Sequence, residues 1–318
     1  MSSYAALTQN ENMKIYRRPR TWVMTGLVVF MLILVTVLMQ INRPTDAVSS
    51  DWRAQVTQSI ANDQSDLQNP EKLTPFMIER LQKDIKMSQY QLEHNIKPDR
   101  HTLWGTIKSL TPLLNLTIIF TIVVAADMIA AEFTAGTIKL LLIRPASRFR
   151  ILMSKYMASL QFALFLTVIT FVVSFLIGGV VNGFADFNTP ELYVGADGLV
   201  HEQSMMMNVM KQYGFLLVTL LIYVTFAFMI SSAFRSSSMA ISLSLVGLLA
   251  GPTIVAVLSK YTWSKYILFA NTDLSVFFGG TPMRPEMTLT FSVLVLAVYF
   301  VLFHLISWFM FTKRDVAA

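Results

Sequence analysis

Residues 110–130 read LTPLLNLTIIFTIVVAADMIA, and after Ala131 the chain continues as EFTAGTIKLLLIRPASRFR over residues 132–150. The first part is an apolar run with a single acid, Asp127, and it is long enough to cross a bilayer, which takes about 20 helical residues. The second part turns polar and basic within a few positions. This junction predicts a transmembrane helix that ends at a membrane surface and is followed by a polar segment in water.

The apolar pattern of this run recurs along the whole chain. Hydrophobic residues make up 54% of the 318 residues and charged residues only 14%, which is outside the usual composition of a soluble domain. Because the hydrophobic residues are concentrated in long runs, we predict an all-α polytopic membrane protein with six transmembrane helices. The predicted spans are approximately 22–41, 110–130, 157–180, 213–234, 239–259 and 289–311.

Lys and Arg residues lie in alternate connections between these runs. They cluster before the first span, after the second and after the sixth, whereas the loop after the third span is net acidic. Because Lys and Arg are enriched in cytoplasmic loops, we predict a multi-pass protein of the bacterial cell membrane with both termini in the cytoplasm. Residues 1–20 are then cytoplasmic, either as a solvated tail or as an interfacial helix whose basic end lies at the headgroups, and residues 21–318 form the six-span domain. Helical spacing of apolar residues predicts a small extracellular helical insertion at 42–109, after the first span.

The segment 132–150 combines residues that suit the docking of a partner protein. Glu132 and Gly136 are four residues apart and therefore share a helix face, and Gly136 would let another surface approach closely. Pro145 ends the apolar run at 138–143 and turns the chain toward the third span. The candidate contact residues are Glu132, Gly136, Thr137, Arg144, Pro145 and Arg148.

The order Glu-x-x-x-Gly-Thr, an apolar run and Arg-Pro-x-x-Arg resembles the cytoplasmic coupling segment of ABC transporter permeases of the type 2, six-span exporter class. The start of the chain, with Asn10, Glu11 and Lys14, is similar as well, and this resemblance implies that residues 1–20 form a cytoplasmic interfacial helix. The resemblance implies a permease subunit of an ATP-driven exporter, which forms the translocation pathway with a second permease, identical or sister. It also implies two copies of a separate ATPase subunit that binds ATP and Mg.

The chain itself has no Gly-x-x-x-x-Gly-Lys-Ser/Thr loop, whose backbone amides would hold phosphates. We therefore expect no cofactor and no enzymatic activity in this chain. Membrane lipid is its other expected partner, and no nucleic acid is expected.

Three more residues are candidates for the pathway or its gating. Pro252 follows Gly251 inside the fifth span, and Asn115 follows Pro112 in the second. Either these residues mark ordinary packing kinks, or the kinked helices line the pathway, as the exporter resemblance implies. Asp127 either lies at the membrane surface beside a Lys or Arg, or takes part in coupling or a proton relay.

Other functions remain open at this point. A secondary transporter or channel driven by an ion gradient would carry several paired acids and bases within its spans, where the sequence offers Asp127 and His304. An ABC-type resistance or sensing complex would use the same parts without export. No metal site is expected, because His94, His101 and His201 lack metal-ligand spacing. The substrate is also open, since the spans suit a lipid, a peptide or an amphipathic drug.

Overall fold

The structure, a computed structural model, describes residues 4–41, 52–68, 75–96, 102–138, 146–184, 190–195, 197–278, 282–284 and 286–313. Within these residues, six helical stretches are long and apolar enough to cross a membrane. They are Pro19–Ile41, Leu103–Thr134, Arg148–Asn182, Met205–Ala233, Ser237–Leu258 and Leu289–Lys313. The predicted all-α polytopic membrane protein with six transmembrane helices is confirmed.

The described residues form α-helices, two short strands and several 3-10 helices. The helices are α1 (Tyr4–Tyr16), α2 (Pro19–Ile41), α3 (Trp52–Leu67), α4 (Pro75–Glu93), α5 (Leu103–Leu110), α6 (Leu114–Thr134), α7 (Arg148–Asn182), α8 (Met205–Ala233), α9 (Ser237–Leu258) and α10 (Leu289–Lys313). Two strands, β1 (Pro190–Val194) and β2 (Val200–Ser204), precede α8. Short 3-10 helices occupy Thr111–Leu113, Thr262–Tyr266, Leu268–Ala270 and Leu274–Phe278. The chain forms two compact units: Met1–Leu32 with Thr111–Val173 and Gln212–Ala318, and Ile33–Leu110 with Ser174–Lys211.

Several helices are longer than the apolar runs in the sequence. α7 begins at Arg148, nine residues before the predicted start of the third span at 157. The second span is also longer, because α5 precedes it and joins α6 through the 3-10 turn at Thr111–Leu113. Hydropathy detects the part of a helix that lies in hydrocarbon, whereas the backbone hydrogen bonds continue into polar residues at the membrane surface.

Close packing of α6 in the first unit depends on small side chains. α6 packs against α9, and it also contacts α8 at Ser231. The Ser231 hydroxyl accepts hydrogen bonds from the backbone N–H of Ile129 at 3.0 Å and of Ala130 at 3.1 Å. Small side chains at such contacts let transmembrane backbones approach closely. This contact fixes the end of α6 that carries Asp127 and Glu132.

The connection between α9 and α10 is broken into short 3-10 helices that pack inward. Leu268 and Leu274 join Ile222 of α8 in one buried cluster, together with Leu296 and Phe303 of α10. The side chain of Asn271 donates hydrogen bonds to the carbonyl oxygens of Lys265 and Ile267, at 2.8 and 3.0 Å. The connection between α9 and α10 is therefore an ordered part of the first unit.

The second unit contains the predicted helical insertion. α3 and α4 pack against each other as a helical hairpin, and Trp104 and Ile107 of α5 are buried. The sequence analysis did not foresee the antiparallel strands β1 and β2, which pair from Pro190↔Ser204 to Val194↔Val200. Each strand has only five residues and no sustained apolar alternation, so periodicity gave no signal for it.

Candidate functional site

Four charged residues from three helices meet beside the end of α6, and we refer to Glu11, Lys14, Glu132 and Lys155 as the charged cluster. Glu11 and Lys14 share a face of α1 at a spacing of three residues. The Lys155 ammonium group, on α7, lies 2.7 Å from a Glu11 carboxylate oxygen and 2.9 Å from a Glu132 oxygen. Lys14 reaches the same two acids, each at 2.9 Å. Every charge in the cluster therefore has two partners of opposite sign.

The charged cluster has a buried half, Glu11 and Lys155, and a partly exposed half, since the Glu132 side chain is 13% exposed and the Lys14 side chain 36% exposed. Lys155 is 1% exposed and Glu11 is 4% exposed. A buried charge is tolerated only with partners and hydrogen bonds, and here two acids neutralise two bases. Burial would raise the pKa of the Glu11 carboxyl, but the Lys155 and Lys14 ammonium groups outweigh it and hold this pKa below its ordinary value.

A second polar site surrounds Asp127, one to two turns before Glu132 on α6. One Asp127 oxygen accepts a hydrogen bond from Arg18 at 2.6 Å and another from Arg20, while the other oxygen accepts one from the Ser237 hydroxyl. Asp127 is 3% exposed. The carboxylate thus joins the α1–α2 connection to the start of α9, and it does not point into a cavity with the other pathway candidates.

The candidate residues of segment 132–150 differ in their surroundings. The Thr137 hydroxyl donates to Glu132 at 2.5 Å, and Gly136 lies between them with φ +69°, a conformation that favours glycine. A side-chain carbon at Gly136 would meet no atom within 4 Å, so its backbone angle is the main constraint. Arg148 is exposed and donates to the carbonyl oxygen of Thr312 at 2.6 Å. Arg144 and Pro145 lie outside the described residues.

A cavity of about 540 Å³ lies in the first unit, near the other end of α6. It brings together Asn115 of α6 and Pro252 of α9, two of the three predicted pathway residues. α8 and the 3-10 connection between α9 and α10 also contribute to the wall. The remaining lining residues are Thr111, Leu114, Ile118, Ile119, Gln212, Phe215, Leu216, Thr219, Tyr223, Leu248, Leu249, Thr272, Asp273 and Ser275.

Sequence analysis missed several residues that the structure places at these sites. Lys155 belongs to the basic residues that follow the second span in the sequence, but the structure places it seven residues inside α7. A Lys at that depth was a possible signal, since it needs a buried acid or access to water. Gln212 and Asp273 gave no comparable signal, because they come together with Asn115 only through folding.

Comparisons with known proteins place this all-α, multi-pass membrane protein in a family. Residues 74–317 match the family described as protein of unknown function (DUF2705), and the chain belongs to this family. The chain is 38% identical to the uncharacterized protein YhcI of Bacillus subtilis (strain 168), over 98% of this chain and 99% of the relative. It is 30% identical to the uncharacterized membrane protein YdbK of the same organism, over 65% of this chain and 81% of the relative.

Proposed function

We propose that this chain is the membrane-spanning permease subunit of an ATP-driven ABC exporter. A second permease, identical or sister, completes the translocation pathway, and two copies of a separate ATPase subunit bind ATP and Mg and dock on segment 132–150. In this proposal the protein lies in the cell membrane with both termini in the cytoplasm, and it is not itself an enzyme.

The observation that carries the proposal is the ion pair between Glu132 and Lys155. Glu132 lies near the end of α6 and Lys155 near the start of α7, so their contact at 2.9 Å ties together the two helices that flank segment 132–150. α1 joins the same pair through Glu11 and Lys14. A force applied to a segment that is tied at both ends is passed to both helices, which is what a docked motor subunit requires of its coupling segment.

Within this proposal, the two charged residues at the borders of the segment have different roles. The Glu132 carboxylate is occupied by Lys14, Lys155 and Thr137, so it holds the segment in place. Arg148 is exposed and contacts only a backbone carbonyl among the described residues, so its charge is available to an acidic surface of the ATPase. Electrostatic contacts of this kind set partner choice and register.

The test is co-purification of the chain with a P-loop ATPase from the same genome, followed by reconstitution and measurement of ATP hydrolysis. The purified chain alone should not hydrolyse ATP. The Arg148→Glu variant should fold and insert normally but associate with the ATPase at least ~10-fold more weakly, because facing like charges cost several kcal/mol. Arg53→Glu, on exposed α3, is the matched control and should leave association unchanged.

Two results would count against the proposal. ATP hydrolysis by the purified chain alone, with contaminants excluded, would show that the ATPase activity lies in this chain and not in a separate subunit. If the Arg148→Glu variant stimulated ATP hydrolysis fully, segment 132–150 would not be the docking surface.

One observation favours the alternative of a transporter driven by an ion gradient. Glu132 and Lys155 are titratable groups inside span-forming helices, Lys155 buried and Glu132 half-buried, and proton-coupled carriers have titratable groups of this kind. The two proposals separate in proteoliposomes that contain the complex. Transport should continue when an ionophore collapses all ion gradients and should stop when ATP is withheld, whereas the alternative predicts the reverse.

A further inference from the structure

We propose that the cavity between α6, α8, α9 and the 3-10 connection binds an amphipathic organic cation that carries N–H donors. This inference rests on the proposed function, and it names the chemical class of the exporter's cargo. The two previously considered pathway residues, Asn115 and Pro252, give the location of the cavity but say nothing of the ligand. The charge of the cavity wall, its hydrogen-bonding groups and the size of the cavity indicate the class of ligand.

The charge of the wall is negative. Among the described residues that line the cavity, Asp273 is the single charged side chain, and no Lys or Arg lies in the lining. One Asp273 oxygen accepts hydrogen bonds from the backbone N–H and the hydroxyl of Ser275, at 3.0 and 2.5 Å. The other oxygen has no partner within the described part of the chain, so it is available to a ligand.

The hydroxyl groups of the wall present acceptor oxygens. The single hydroxyl hydrogen of Thr219 is shared between the carbonyl oxygens of Phe215 and Thr272, and the Thr272 hydroxyl donates to the carbonyl oxygen of Phe269 at 3.2 Å. The Ser275 hydroxyl donates to Asp273. The hydroxyl hydrogens of Thr219, Thr272 and Ser275 are therefore used inside the protein, and these oxygens keep lone pairs that can accept from a ligand.

An unpartnered acceptor completes the polar side of the cavity. The Oε1 atom of Gln212 is buried and has no hydrogen-bond partner among the described residues. A buried acceptor without a partner costs about 1–3 kcal/mol in general, so such a group marks a place where a donor is missing. Asn115 adds a further amide oxygen, because its Nδ2 donates to the carbonyl oxygen of Pro112 at 3.1 Å. A ligand N–H group can donate to the Asn115 oxygen, and a donor that reaches the buried Gln212 oxygen would satisfy that group as well.

The rest of the wall excludes small inorganic cations. Ile118, Leu216 and Leu249 form an apolar side, and the ring of Phe215 lies at the same cavity. A hydrated metal ion would gain nothing from these groups, whereas the carbon skeleton of an organic ligand is removed from water by them. The volume of about 540 Å³ is typical of a drug-sized ligand.

The experiment measures binding in the full chain, reconstituted in nanodiscs of zwitterionic phosphatidylcholine and treated with nuclease. The probes are two fluorescent dyes of similar size: ethidium, a cation with two aromatic amino groups, and fluorescein, an anion. Fluorescence anisotropy should show saturable binding of ethidium at one site per chain and much weaker binding of fluorescein. Empty nanodiscs give the lipid background.

The variants identify the cavity as the site. Asp273→Asn should weaken ethidium binding by about tenfold, because it removes a charge-assisted hydrogen bond. Gln212→Leu should also weaken it, and Asp273→Lys should shift the preference toward fluorescein. Glu286→Gln is the matched control, since it removes an acid from the same connection but outside the cavity lining, and it should bind ethidium like the unchanged chain.

The outcomes separate this inference from the proposed function. Equal ethidium affinity of the unchanged chain and of folded Asp273→Asn and Gln212→Leu variants would overturn the inference, as would equally tight binding of fluorescein. Binding requires no ATPase, so loss of ATPase association leaves the binding result intact and rejects only the proposed function. Each variant is first checked for monodisperse elution, and Gln212→Leu decides the matter if Asp273→Asn fails that check.

Discussion

Lys155 occupies a position that a lysine reaches only with dedicated partners. It is 1% exposed within α7, and its ammonium group is held by Glu11 and Glu132 at 2.7 and 2.9 Å. Removal of an ammonium group from such a site leaves two carboxylates that have been taken out of water. The residue therefore stabilises the structure mainly by neutralising Glu11, which is buried, and Glu132, which is half-buried.

Lys155→Met should accordingly destabilise the protein by about 3–5 kcal/mol, the cost of breaking a buried ion pair by removing one partner. The double variant Lys155→Met/Glu11→Gln should recover a large part of this loss, because one uncompensated charge is removed with its partner. SDS-driven unfolding in bicelles, run as a double-mutant cycle, measures both changes.

Exposed Lys260 provides the control for this cycle, and Lys260→Met should change stability by no more than about 0.5 kcal/mol. If Lys155→Met were as mild as this control, the charged cluster would have no structural role.

At the scale of the element, α1 is held by side-chain contacts to α6 and α7. A free helix of 13 residues is marginal in water, so its stability depends on docking. The Tyr4 hydroxyl donates to the carbonyl oxygen of Met153 at 3.1 Å. The Tyr16 ring lies edge-on to the Phe165 ring, with 5.2 Å between the ring centroids. The charged cluster adds the ionic contacts, which make the docking of α1 dependent on pH.

The pH dependence follows from two pKa shifts of opposite direction. The pKa of Glu11 lies below its ordinary 4.5, so its contribution to docking is complete above that value and is lost as the pH falls through the folded-state pKa. Burial would lower the pKa of Lys14, but Glu11 and Glu132 raise it above its ordinary 10.5. Its contribution is complete below 10.5 and is lost as the pH rises through the higher folded-state pKa.

We therefore expect hydrogen-exchange protection of α1, corrected for intrinsic rates, to be constant between these limits and to fall beyond each of them. Glu11→Gln should reduce protection at neutral pH and flatten the acidic limb. Arg17→Gln, at an exposed position of the α1–α2 connection, should leave the profile unchanged. If the loss of protection at acidic pH were unchanged in Glu11→Gln, that loss would be due to other carboxyl groups.

At the scale of the whole molecule, the sequence predicted what depends on local pattern. The six spans and the α3–α4 insertion follow from the length of apolar runs and from helical spacing. The charged cluster could not be predicted, since Lys14 and Glu132 are separated by 118 positions and Glu11 and Lys155 by 144. The cavity is built in the same way from three helices and a broken connection, so Gln212 and Asp273 become neighbours of Asn115 only in the folded chain.

The orientation of the chain in the membrane is a property of the whole molecule. It can be measured directly with single introduced cysteines, because the sequence contains none. Single cysteines at the exposed positions Ser65, Ser147, Ser238 and Lys260 sample four connections. Because Lys and Arg mark the cytoplasmic loops, Ser65→Cys and Lys260→Cys should react with an impermeant maleimide in intact cells. Ser147→Cys and Ser238→Cys should react only after permeabilisation.

Labelling after permeabilisation is the internal control, since all four variants should then react to the same extent. A reversed pattern would place both termini and segment 132–150 outside the cell. A cytoplasmic ATPase could then not dock on this segment, and the proposed coupling would be wrong. Equal labelling of Ser65→Cys and Ser147→Cys in intact cells would mean that the stretch Leu103–Thr134 does not cross the membrane. The predicted alternation requires the second and the fifth spans to cross the membrane, since each separates two of these positions, so one experiment tests these two crossings together with the orientation.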